Sequence, residues 1–138
     1  MASSHYEKYL YFRTQADEDD DDGGDDSAMF PLSSLTGIHV TAAAAITLFF
    51  KPVIRTPHDE GANAFTNNDS VVLNVTEGTA FEVQRDLVQH FNGGPHNDGF
   101  LVVADDMTTL LDNSTRSAVY LVPNITSCGA IAIGAAHA

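Results

Sequence analysis

The chain has 138 residues, enough for one domain with a real core, and its formal net charge is −13, from six Lys and Arg against nineteen Asp and Glu. That balance repels phosphate backbones and anionic headgroups, so it excludes the basic footprint of a nucleic-acid or anionic-membrane binder. Cys128 is the only cysteine, which rules out an intrachain disulfide and with it a disulfide-stapled scaffold.

Met1 to Arg13 has no uncharged apolar stretch of the kind a signal peptide needs, and no apolar run approaches the ~18 residues of a membrane span. His5 to Thr14 is dense in aromatics: Tyr6, Tyr9, Leu10, Tyr11 and Phe12. That composition predicts a strand. Both of its faces carry apolar bulk, so one suits the core and the other suits either cover within the domain or a neighbouring subunit.

Asp17 to Asp26 is a run of carboxylates broken by Gly23 and Gly24. Mutual repulsion predicts a solvated loop, spanning residues 15–28. A weak calcium site is the sharper expectation. Glu18, Asp20, Asp22 and then Gly23 match the first half of a calcium loop, with Asp20, Asp22 and Asp26 as candidate ligands. The twelfth position, where such a loop places Glu, holds Met29.

Met29 to Ile38, with Pro31 and two serines, reads as a short helical turn followed by a turn at Thr36-Gly37. Ala44 to Phe50 reads as a strand, ended by Pro52. Arg55 to Ser70 is polar and Asn-rich, a long loop and a candidate contact surface. Ser70 to Thr76 alternates as a strand.

Thr79 then opens the one strong helix, with Glu82 three residues on to complete a capping box. Ala80, Val83, Leu87 and Phe91, with Val88 beside them, form its apolar stripe, and Gly93-Gly94-Pro95 stops it. Phe100 to Ala104, Ala118 to Val122 and Ala130 to Ala135 read as the remaining strands. The expected fold is α+β: a largely antiparallel sheet of about six strands with one principal helix packed on it.

Few residues suggest chemistry. Asp105 and Asp106 at a strand end are paired carboxylates, but no nucleophile elbow or phosphate loop accompanies them. His90, His96 and Asp98 are close in sequence but lack helical spacing for a metal. Cys128 has no base nearby in sequence and reads as a small buried residue. The sequons at Asn68, Asn74, Asn113 and Asn124 read as turn and strand chemistry. No catalytic residues are assigned, so the chain is expected not to be an enzyme.

Several segments, in order, resemble a family. They are Lys8-Tyr9-Leu10-Tyr11-Phe12-Arg13, the acidic stretch, Ser34-Leu35-Thr36-Gly37, Gly94-Pro95-His96, Asp98-Gly99-Phe100-Leu101-Val102-Val103-Ala104-Asp105-Asp106 and Ile125-Thr126-Ser127-Cys128. Together they are similar to small virion structural proteins of marine tailed phages, particularly cyanophages. The resemblance implies a capsid decoration or cement protein, located in the virion after assembly in the host cytoplasm. Its partners would be the major capsid protein or other virion proteins, and further copies of itself in a homo-oligomer, with a trimer as the implied symmetry. It supplies no active-site residues.

The residues expected to touch a partner are Tyr6, Tyr9 and Tyr11 in the aromatic strand and Arg55, His58 and Asn67 in the polar loop. The alternatives are a tail or neck component of the virion and, from another class, a calcium-dependent binding module using the acidic loop.

Overall fold

Among the described residues, eight strands form two four-stranded sheets around one shared core, with a single α-helix. The computed structural model describes residues 8–23, 26–51, 69–92 and 99–133. The first sheet contains β1 (Tyr9–Arg13), β2 (Ser27–Pro31), β6 (Phe100–Asp105) and β7 (Val119–Tyr120), in the order β2-β1-β6-β7. The second contains β3 (Leu35–Ala42), β4 (Ala45–Phe50), β5 (Asp69–Val75) and β8 (Ile125–Ala132), in the order β3-β4-β5-β8. Helix α1 (Ala80–Asn92) lies between β5 and β6 in the chain. Every pairing is antiparallel except that of β1 with β6.

The chain crosses between the sheets at their margins. A single 3-10 turn, Leu32–Ser34, leads from β2 into β3, and Leu121 to Asn124 lead from β7 into β8. Asn124 has a φ of 76°, a conformation that Asn tolerates better than most residues. The shared core explains why the two sheets stay together. Phe12 and Phe30 of the first sheet meet Phe50 of the second. Phe30 and Phe50 stack with centroids 4.2 Å apart and planes 7° from parallel, and Phe12 packs edge-on to both.

The helix buries Val83, Leu87 and Phe91, the four-residue spacing expected of one helix face. Val88, read as part of the stripe, is instead exposed. The expected capping pair is also replaced. The Thr79 hydroxyl donates to the Thr76 carbonyl oxygen at 2.6 Å, closing a turn that Gly78 shapes with a φ of 86°. At the other end, Lys8 Nζ donates to the Phe91 carbonyl oxygen at 2.7 Å and places a cation at the negative end of the helix dipole.

The expectation of one six-stranded sheet is corrected to two sheets of four, and two strands went unread. In β2 the signal is confined to Met29 and Phe30 between serine and proline. In β3 most residues are exposed, and Thr36-Gly37 is a register shift inside the strand rather than a turn. An edge strand with neither face well buried carries no alternation for a reader to find.

The last strand starts at Ile125, not Ala130, for a different reason. Ile125, Cys128 and Ile131 are buried at a spacing of three, because two register shifts against β5 each add a residue. Gly129 sits in this irregular stretch, where a Cβ would lie 3.0 Å from the Val72 carbonyl oxygen and 3.1 Å from its Cβ. Replacing Gly129 with Ala therefore forces β5 and β8 apart, and urea unfolding should show a loss of about 1–3 kcal/mol. An unchanged unfolding midpoint would show that the strands are not this close.

Candidate functional site

The ends of β1 and β6 lie side by side, because the two strands run parallel with Arg13 opposite Asp105. Arg13 Nε donates to Asp105 Oδ1 and Arg13 Nη2 to Oδ2, both at 2.8 Å, which is the forked geometry that guanidinium and carboxylate favour. Arg116 Nη2 adds a bond to Oδ2 at 3.0 Å, and the Met107 backbone N–H adds one to Oδ1 at 3.1 Å. A carboxylate offers about four acceptor directions, and all of them are taken.

Burial pushes the Asp105 carboxyl upward, but the Arg13 and Met107 bonds and the two guanidinium charges outweigh it and hold it below its ordinary value. The Arg13 guanidinium is correspondingly raised, first by its bonds to Asp105. It lies 5.5 Å from the centre of the Tyr11 ring and is extended by a longer contact, 3.4 Å, from Nη1 to Asp21.

Asp106 faces the other way. It accepts the Tyr120 hydroxyl at 2.6 Å and the Cys128 backbone N–H at 3.0 and 3.1 Å, so it ties the end of β6 to β7 and to the middle of β8. Burial and then the Asp106 bond push the Tyr120 hydroxyl well above its ordinary range. Burial, followed by the Asp106 charge, pushes the Cys128 thiol up to about 12. Neither group is poised as a nucleophile near neutrality. The adjacent aspartate side chains thus have separate sets of hydrogen-bond partners.

The acidic connection is tied at several of its described residues. The Ala16 carbonyl oxygen accepts the N–H groups of Thr108 and Thr109, and the Glu18 N–H donates to the Thr109 carbonyl oxygen. Glu18 Oε1 accepts the Leu111 N–H at 3.0 Å. Asp21 accepts Ser27 Oγ at 2.9 Å. Asp26 closes the bend: its Oδ2 accepts the N–H groups of Gly23 at 2.6 Å and Asp22 at 3.2 Å, and its Oδ1 accepts Gln15 Nε2 at 3.0 Å. Gly23 suits this bend, since a Cβ there would lie 2.9 Å from Asp26 Oδ2.

Of the candidate calcium ligands, Asp26 is therefore engaged with the bend, while Asp20 and Asp22 are exposed. Among the described residues, no three His, Cys, Asp or Glu side chains are gathered as a metal requires. His96 and Asp98 lie outside the described residues.

The outward face of the first sheet has a different character. Strand register sets its residues in rows across β2, β1 and β6: Pro31, Tyr9 and Phe100; then Met29, Tyr11 and Val102; then Ser27, Arg13 and Asp105. Two rows are apolar and the third is the ion pair. Tyr9 is 41% exposed, Met29 49% and Phe100 46%. Tyr11 packs its ring 5.6 Å from that of Phe100. Tyr9 and Tyr11, singled out from sequence, do sit on this outer face, whereas Tyr6, Arg55, His58 and Asn67 lie outside the described residues.

Sequence reading missed Met29, Pro31, Phe100 and Val102 as members of the face. The signal for the first two was the unread strand β2, and the other two were assigned wholly to a buried strand. No family model, curated protein or solved structure matches the chain.

Two outcomes follow from the strand-end networks. Because Asp105 has a folded-state pKa below its unfolded value, its contribution is complete above about pH 5 and is lost as pH falls through the folded value. Asp105→Asn should cost about 3 kcal/mol at pH 7, with the gap to the unchanged protein closing below about pH 4 in urea titrations. A gap independent of pH would contradict the ion-pair account. Cys128 should resist a maleimide at pH 8 in the folded protein and react promptly in urea; rapid native labelling would contradict its burial.

Proposed function

We propose that the chain is a non-enzymatic virion structural protein of a tailed phage, a capsid decoration protein that binds the assembled head and stabilises it. The observation that carries this reading is the two-row apolar face of the first sheet. Six neighbouring residues, Pro31, Tyr9, Phe100, Met29, Tyr11 and Val102, form a continuous surface on a sheet whose other side is core. Aromatic and Met side chains at the centre of a rigid sheet are the composition that interface centres favour.

The carboxylates that suggested chemistry serve internal ties, which is how a carrier of binding surface uses its buried polar groups. The major capsid protein is the proposed partner, met by many copies of the chain on the particle. Binding the shell and not its separated parts stabilises the assembly by mass action.

Purified protein mixed with undecorated heads should bind saturably and raise the temperature at which the heads release DNA. The Tyr9→Asp, Met29→Lys double variant should lose binding while keeping its own melting temperature, because both side chains are exposed. Failure of the unchanged protein to bind heads, or its absence from purified virions, would overturn the proposal.

A further inference from the structure

Strand β3 is an outer strand of unusual chemistry. Among the described residues it pairs with β4 on one side and with no strand on the other. Thr36, Gly37, His39, Val40, Thr41 and Ala42 are exposed. An edge strand turns every second N–H and C=O outward, a template for another strand unless something blunts it.

The other outer strands are blunted. β2 ends in Pro31, β7 is two residues long, and the two register shifts of β8 fall inside it and leave no more than two consecutive residues in register. β3 has eight residues, no proline and no Asp, Glu, Lys or Arg. Its two irregularities fall near its ends, at Leu35/Gly37 and Val40/Ala42, and the Thr36 and Thr41 side chains bond toward β4 there. Gly37 to Val40 remain in regular register.

The charge pattern selects the occupant. With a net charge of −13, most of this surface repels a second copy of itself. β3, like β8, carries no Asp, Glu, Lys or Arg, so two copies meet there without apposing carboxylates, and of the two only β3 keeps four consecutive residues, Gly37 to Val40, in regular register. It is also self-complementary. An antiparallel pair centred on His39 sets His39 against the same residue of the second copy, and Ile38 against Val40 of the second copy. Ile38 and Val40 are paired with Leu48 and Ile46 within the chain, so their apolar side is shared. Such cross-strand apolar pairs stabilise a sheet.

We propose that β3 pairs antiparallel with β3 of a second copy, fusing two β3-β4-β5-β8 sheets across a two-fold axis into one continuous sheet. This is an isologous contact that closes at two subunits. It uses the second sheet and leaves the apolar face of the first free for a different partner, so it stands apart from the particle reading.

Sedimentation equilibrium at physiological salt, over a wide range of protein concentration, tests it. The unchanged protein should move from one to two chain masses. His39→Asp and His39→Lys, each alone, should remain at one chain mass over that range with near-unchanged melting temperatures, because like charges then face each other. Their equimolar mixture should recover the two-chain species, a result that a folding defect cannot produce. A protein that stays at one chain mass, a species of three chain masses, or variants that associate as the unchanged protein does would each overturn β3 pairing. If the protein still saturates phage heads in that case, the particle reading stands without it.

Discussion

Two strands that run parallel must end at the same edge of their sheet, and β1 and β6 end there with opposite charges. The fork between Arg13 and Asp105 is the constraint on which the surrounding structure depends. Burying a carboxylate is costly, and the cost is met because four donors converge on it from β1, from Met107 and from Arg116. The same guanidinium reaches Asp21, and Ser27 reaches Asp21 from β2. A connection that self-repulsion should leave loose is thereby held against the sheet. Leu111 and Thr109 hold its middle, so the loop after β6 and the acidic bend after β1 are fixed to each other.

The first sheet divides between buried ties at its strand ends and outward apolar rows. Asp105 and Asp106 stand at the end of β6 and serve as ties within the fold. Each carboxylate is already engaged by donors, and the nearby hydroxyl and thiol have pKa values raised away from reactivity. The exposed apolar surface lies one step along the same strands, at Tyr9, Tyr11, Met29 and Phe100. A sheet whose core side is filled by Leu10, Phe12 and Phe30 cannot reorganise to hide those side chains. They are held on a rigid sheet.

What the sequence made legible follows from where burial is one-sided. The helix, β4, β5 and β6 have strong patterns because a covered face imposes one. The strands β2 and β3 were missed because they lie at sheet edges, and the first half of β8 because bulges turned a spacing of two into three. The residues of the outer apolar face divide in the same way. Tyr9 and Tyr11 could be found from the aromatic density of one strand. Their neighbours Met29, Phe100 and Val102 come from elements distant in sequence and become neighbours only through register. The ties of Asp105 to Arg13 and Arg116 were equally hidden, since the parallel pairing of β1 with β6 has no local signature.

The most direct measurement is a double-mutant cycle on Arg13 and Asp105, with Arg13→Met, Asp105→Asn and the double variant compared by urea unfolding at pH 7. The account predicts a coupling energy of about 2 kcal/mol or more, as for a desolvated, forked ion pair. A coupling near zero, with each single variant losing little stability, would contradict it. Asp105 would then be a carboxylate free for other work.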